Sequence, residues 1–404
     1  IFSVIARQIV SETDLDDYSN SGWAGDQFNT NGVTPEPDGE KKHFQTTTFS
    51  ITAVKLKNSF FQNFFQSSLI LSSTERQRET LGASGTKLYE YIGKAEQASW
   101  LGTLSFETNE ISFGLDQYTE KMESESSYET IQEVSAITTS FWIHDQLYLL
   151  DEALILSAGA RNDTHEKSGS AATSRFAASY QLDAIKFKAS YGTGFRTPSL
   201  YELFSQYGNT ELKAETSTSW DIGFQHQVAS VLYGITYFNI SFEDRIDWVS
   251  ISTDPWGQYQ QAEGKTLSNG TETFIAVNPT RRLSLRLDHT KNHTEDPEGN
   301  RLKRRPTDKM GLKCNYQLGN STLLKGSIQW VGDRSANSTA KNEDGTPVST
   351  LNPYTVVNFS VAYDFTKSIK LYMKVDNLTD EFYETAWSYA TPGRSFYAGI
   401  KAAF

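Results

Sequence analysis

YTVVNFSVAYDFTKSIKLYMKVD, residues 354–376, decides the fold. Val357, Phe359, Val361 and Tyr363 alternate with Asn358, Ser360, Ala362 and Asp364. After a turn at 365–368, Ile369, Leu371, Met373 and Val375 alternate with Lys370, Tyr372, Lys374 and Asp376. A period of two places successive side chains on opposite faces of an extended strand. Each segment therefore has one apolar face and one face of charged or small polar groups, and the short turn makes the two neighbours antiparallel.

The same alternation recurs upstream. Leu283, Leu285 and Leu287 alternate with Ser284, Arg286 and Asp288; Trp220, Ile222 and Phe224 with Asp221, Gly223 and Gln225; Ile185, Phe187, Ala189 and Tyr191 with Lys186, Lys188, Ser190 and Gly192. About 18 such strands can be placed, one of them over 257–276 and another over 302–317. Short turns near 107–110, 150–153, 182–184, 227–230, 277–280, 318–321 and 365–368 alternate with longer polar connections such as 11–43, 196–215, 246–256 and 337–352. A sandwich has loops at both ends; short turns at one rim and long loops at the other describe a transmembrane antiparallel β-barrel. Segments 88–106 and 129–149 exceed the bilayer thickness and project beyond it. In 231–245 the apolar parity switches between Tyr237 and Phe238, which suggests a bulge.

Composition agrees. Mean hydropathy is -0.50 and charged residues make up 21%, while aromatics reach 13%. A polar mean rich in Tyr and Trp suits strands with one watery face and aromatic belts at the lipid interfaces. A soluble all-β protein shares this composition, so the connection lengths carry the decision. A net charge of -12 argues against nucleic acid as partner. The lone Cys314 excludes a disulfide framework. No catalytic constellation stands out among the six histidines. His289 and His293 are four apart on a strand, roughly 13 Å, too far to share an ion.

In the last strand Phe396, Ala398, Ile400, Ala402 and Phe404 share a face. A terminal aromatic resembles the signal by which bacteria recognise barrels for outer-membrane insertion, so Phe404 is the expected contact for the assembly machinery. That direction puts the long loops outside the cell.

Three ordered blocks resemble the TonB-dependent outer-membrane transporters. Residues 189–217 read ASYGTGFRTPSLYELFSQYGNTELKAETS, residues 304–317 read RRPTDKMGLKCNYQ, and residues 375–404 read VDNLTDEFYETAWSYATPGRSFYAGIKAAF. Gly194, Phe195, Pro198, Leu200, Gly208 and Asn209 match the first block, and Pro392, Gly393 and Arg394 the last. These residues are expected to shape loops. Within the family, the compact spacer between Leu203 and Tyr207 is most similar to cobalamin receptors, with ferric-siderophore receptors the alternative. The family has a plug domain inside a 22-stranded barrel and a segment that binds TonB. The resemblance thus implies that residues 1–404 are the C-terminal part of the barrel, with the plug and first strands not present. It implies active uptake of a corrinoid or iron chelate, no enzymatic activity, and contact with outer-membrane lipid and lipopolysaccharide. A passive porin or a structural barrel is the rival of another class.

Large ligands need wide aromatic surfaces. The loop candidates are Tyr18, Trp23, Tyr207, Trp248, Trp256, Trp387 and Tyr389. Arg196, Arg245 and Arg334 near loop bases could attract an anionic chelate or pair with acidic neighbours. Asp14, Asp16, Asp17 and Asp26 are hard oxygen ligands that could bind calcium, although their spacing is not that of an EF-hand.

Overall fold

Alternating side chains and two-to-four-residue turns produce long antiparallel hairpins in the computed structural model, which describes residues 1–15, 43–82, 85–126, 128–251, 254–336, 347–387 and 391–403. The first nine strands are β1 (Phe2–Leu15), β2 (His43–Phe60), β3 (Phe65–Gly82), β4 (Lys87–Ser105), β5 (Asn109–Ser126), β6 (Thr130–Leu149), β7 (Leu154–His165), β8 (Gly169–Leu182) and β9 (Ile185–Arg196). A short helix, α1 (Leu200–Phe204), precedes β10 (Glu215–Val228) and β11 (Val231–Glu243). A separate hairpin, β12 (Ile246–Ile251) and β13 (Asp254–Gln261), is followed by β14 (Lys265–Thr280), β15 (Leu283–Glu295), β16 (Asp308–Leu318) and β17 (Thr322–Val331). The two-residue strands β18 (Arg334–Ser335) and β19 (Thr350–Leu351) form a second small pair before β20 (Tyr354–Asp364), β21 (Ile369–Asp376) and β22 (Ser395–Ala402).

Eighteen strands form one sheet in which each pairs antiparallel with its sequence neighbours, and the small hairpins β12–β13 and β18–β19 stand outside it. Among the described residues β1 pairs with β2 alone and β22 with β21 alone.

The burial pattern is inverted relative to a soluble protein. Leu115, Phe141, Phe176, Tyr191, Ile222, Phe359, Met373 and Ile400 all stand exposed on one face. The opposite face holds the buried polar side chains Ser140 and Asp163. Lipid, rather than a protein core, is the solvent that such an apolar face requires. Polar atoms on that face are satisfied locally: Trp100 Nε1 donates to Ser67 Oγ at 3.0 Å. Rings gather near the short-turn rim, where Phe64 and Phe106 meet edge to face at 5.2 Å. Both faces are therefore finished, one for lipid and one for a polar lumen.

Three expectations need correction. β11 pairs with β10 and β14 without a register break, so there is no bulge at Tyr237–Phe238. Phe238 turns to the lumen, opposite Gly270 in β14, where a missing side chain leaves room for a ring. The register shift falls instead at Val277–Thr280. The expected strand over 257–276 is two elements, because Gly264 takes a positive φ of 95° and separates the outer hairpin from β14. The RRP segment does not open a strand: Arg304 N donates to Ser335 O at 2.8 Å and Pro306 bridges Arg334, so β16 starts at Asp308.

Candidate ligand-binding mouth

The long-loop rim is organised by the segment between β9 and β10. Pro198 fixes the entry, and Ser199 caps α1, accepting from Glu202 N at 3.2 Å while Glu202 Oε2 accepts from Ser199 N at 2.7 Å. Reciprocal capping lets a single helical turn form. Arg196 then clamps both ends of the loop. Its guanidinium donates to Glu202 at 2.9 Å and to Glu215 at 2.7 Å. Those two carboxylates, Glu215 first, hold the Arg196 guanidinium more firmly protonated than usual. Burial alone would raise the Glu202 carboxyl, but Arg196 and the Ser199 amide outweigh it and hold it below its ordinary value.

The buried residues Leu203, Leu212 and Ile246 form a small core, with Phe204 and Tyr259 packed against it. The hairpin β12–β13 is thereby stapled to the loop. Tyr259 N donates to Tyr207 O at 2.9 Å, Gln258 Nε2 to Gly208 O at 3.0 Å, and Gln261 Nε2 to Lys213 O at 2.7 Å. Gly208 is required by close approach, since a Cβ there would lie 2.6 Å from Leu203 O and 2.7 Å from Ser205 O. Asn209 donates from its backbone to Glu202 O at 2.9 Å.

Around this cap stand tyrosines from three separate segments. Tyr201 meets Tyr259 edge to face at 6.3 Å, Tyr89 stacks on Tyr91 at 6.5 Å, and Arg78 covers the Tyr91 ring at 4.8 Å. Burial, with help from Tyr91 and Tyr259, pushes the Tyr201 phenol up to about 12, so it stays a neutral donor at any working pH. Below the mouth, a lumen cavity of about 370 Å³ is lined by Gln97, Asp116, Tyr118, Ser140 and Arg161 together with Phe195–Thr197. Arg161 pairs with Asp116 and Asp163, each at 2.9 Å, Ser140 Oγ donates to Asp163 at 2.5 Å, and Trp142 Nε1 reaches Asp116 at 3.1 Å. Trp142 can reach because Gly114 offers no side chain; a Cβ there would sit 2.6 Å from the indole.

The other expected residues scatter. Trp248 lies across from Tyr259 in the hairpin and is 48% exposed, so it is presented at the mouth. Tyr207, whose carbonyl accepts from Tyr259 N, is half-buried. Trp387 is half-buried and packs against Ala336 and Leu351 in a second small core. The backbones of Trp256 and Asp14 lie in β13 and β1. Tyr18, Trp23, Tyr389, Asp16, Asp17, Asp26 and Phe404 lie outside the described residues. The three arginines hold the wall together: Arg196 is clamped as above, Arg245 pairs with Asp247, and Arg334 covers the Tyr354 ring at 4.7 Å. His289 and His293 do not converge; they meet Asp308 at 3.1 Å and Glu295 at 2.7 Å separately. In the last block, Asn377 Oδ1 accepts from Glu381 N at 2.8 Å and Asp380 Oδ1 accepts from Arg394 N at 2.7 Å. Pro392 O lies 3.4 Å from the Asn377 amide, and Gly393 sits where a Cβ would press on Asp380.

The tyrosines Tyr89, Tyr91, Tyr201 and Tyr259 were not among the sequence candidates. The available signal was parity: Tyr89 and Tyr91 lie an even number of residues from the lumen residue Gln97.

A sheet with an apolar outside, a polar lumen and a built mouth at the long-loop rim defines an outer-membrane β-barrel. The chain matches the family described as TonB dependent receptor-like, beta-barrel over residues 6–378. It belongs to that family, one of outer-membrane transporters and receptors rather than enzymes. Among similar proteins, the vitamin B12 transporter BtuB of Vibrio cholerae is 29% identical over 250 residues, covering 61% of this chain and 39% of the relative. BtuB of Vibrio vulnificus is 29% identical over 238 residues, covering 55% and 35%. The chain thus spans well under half the length of these relatives. In fold it is similar to the ferric enterobactin receptor PfeA of Pseudomonas aeruginosa, with TM-score 0.76 and 18% identity over 91% of this chain and 62% of the other. It is also similar to the ferric-catecholate import receptor Fiu of E. coli, with TM-score 0.79 and 15% identity over 100% and 72%.

Proposed function

We propose that this barrel is the wall of a TonB-coupled importer whose mouth takes a large, scarce nutrient, a corrinoid before other ligands. The observation that carries the corrinoid is the 29% identity to vitamin B12 transporters over 250 residues. The α1 loop and the β12–β13 hairpin give a rigid rim, and Trp248, Tyr207, Tyr201 and Tyr259 give stiff rings with little rotamer entropy to lose on binding. Coupling would come from TonB acting on a plug preceding these strands, within a barrel of 22 strands. Calcium on the acidic segment 11–43 belongs to the same proposal.

One feature favours a ferric siderophore instead. Arg78 over Tyr91, beside Tyr89, makes a cationic aromatic wall suited to an anionic, ring-bearing chelate. Titration of the full-length receptor with cyanocobalamin and with ferric catecholates, each with and without calcium, separates the two. Sub-micromolar corrinoid binding is expected; tight catecholate binding with no corrinoid binding would overturn the first choice, and calcium independence would remove the metal.

A further inference from the structure

The outer face carries one group that an apolar solvent does not explain. In the outward positions nearest the short turns, across all eighteen strands of the sheet, Asp145 is the one carboxylate among the described residues, and no lysine or arginine shares that band. Register fixes its side. Asp145 stands opposite Ile111 of β5 and Ala158 of β7, with the parity of the exposed Phe141 and Ile143. Its neighbour His144 turns the other way, to the lumen, and bonds Ser157 Oγ at 2.8 Å. An acid that faces hydrocarbon is costly unless donors or a cation meet it. One donor does: Asn109 Nδ2 donates to Asp145 Oδ1 at 3.1 Å. Among the described residues Asp145 has no ion pair.

Beside Asp145 the wall is dented. Adjoining rows put Ala158, Ala178 and Ala189 on the outer face, with Leu156, Phe176 and Tyr191 as their cross-strand neighbours. Methyl groups set among large side chains leave a groove of about 510 Å³, which Asp145 and Leu147 border. Its dimensions choose the occupant. Three strand spacings from β6 to β9 make it roughly 14 Å wide, and two adjoining rows make it roughly 7 Å long along the strands. A stable protein partner needs about 800 Å² on each side, several times what this groove offers. A hydrocarbon chain fits it. Depth and charge choose the headgroup. Asp145 lies four residues before Leu149, the end of β6, a rise of roughly 9 Å on a strand tilted about 45°. That reaches the boundary between headgroups and chains in the leaflet at the short-turn, periplasmic rim. The cation that a phospholipid brings to this boundary is a primary ammonium.

We propose that this groove is a binding site for one phospholipid with an ethanolamine headgroup, whose chain lies over the three alanines and whose ammonium donates to Asp145. The site is on the outside of the wall and does not depend on which nutrient the mouth takes. A hydrogen bond between two charged groups at the edge of a low-dielectric medium is stronger than one in water, so the headgroup, and not the chain, sets the preference.

The test uses the full-length receptor in detergent, read by native mass spectrometry after adding phosphatidylethanolamine or phosphatidylglycerol with the same chains. The wild type should hold one phosphatidylethanolamine, with an affinity about tenfold or more above that for phosphatidylglycerol, as a hydrogen bond to a charged group supplies. Asp145→Asn keeps the shape and should abolish that preference. Ala178→Phe fills the groove and should lower the occupancy of both lipids. Asp151→Asn, in the β6–β7 turn and outside the groove, should change neither. Heat-modifiable migration on gels reports an intact barrel in every variant, and Ala178→Val serves if the larger ring blocks insertion. Equal retention of the two lipids by the wild type, a preference that survives Asp145→Asn, or unchanged occupancy in a folded groove-filling variant would overturn the proposal. So would a dimer or a stoichiometric protein adduct that Asp145→Asn dissolves, since a protein would then hold the groove.

Discussion

Arg196 does at residue scale what the loop sequence leaves unstated. It holds two carboxylates 13 residues apart in the chain, Glu202 and Glu215, and the backbone of Ile246 also rests on Glu215. Removing the guanidinium in Arg196→Ala leaves both carboxylates facing each other. With a side chain 45% exposed, the clamp is partly screened, so a loss of about 1–2 kcal/mol local to the loop is expected. Hydrogen exchange should rise across 197–214 while the strands stay protected; unchanged exchange there would refute the clamp. Gly208→Ala should do more, since the new methyl meets two carbonyl oxygens rather than a movable side chain. Overpacking against backbone costs about 1–3 kcal/mol, and the hairpin β12–β13 should become protease-sensitive.

The scale of elements decides the pH response of the mouth. The Glu202 carboxyl in the folded loop titrates below its ordinary 4.5. Below that ordinary value the unfolded loop takes up protons that the folded one does not. The stabilisation is therefore complete above about pH 4.5 and drains away as pH falls through the folded value. His165, which caps the β7–β8 turn by accepting from Ser168 N at 3.1 Å, has its imidazole pushed below the ordinary 6.5 by burial. Its sign is the same: stability complete above about pH 6.5 and lost on acidification through the depressed value. Exchange at 166–168 and 199–203 should accelerate below those limits, and His165→Gln should remove the first step without touching the second.

Across the whole molecule, what matters is which face meets lipid. Leu115 and Phe141 stand exposed on the apolar face, so Arg at either position should cost about 2–4 kcal/mol near the bilayer midplane. An Arg in place of Gln97 on the lumen wall should insert normally. Urea unfolding of variants in liposomes checks both, and equal costs on the two faces would refute the assignment. Arg161→Met takes the cation away from Asp163, which is 4% exposed and keeps only Ser140. With Arg161 itself 39% exposed, a loss of about 1–3 kcal/mol is expected.

The sequence by itself determined the class of fold. Period-two alternation with short and long connections in turn left one arrangement that hides the apolar face, because backbone groups in lipid must pair within a closed wall. It also marked the Arg196–Glu215 block and the Asn377–Arg394 block as special, though as shapes rather than contacts. Parity was misleading at Phe238, where the space opposite Gly270 admits a ring to the lumen. Only the tertiary structure decided what fills the mouth. Tyr89, Tyr201 and Tyr259 are brought together by strand register and by a core of Leu203, Leu212 and Ile246. No local pattern encodes such meetings, since they depend on which strands end side by side.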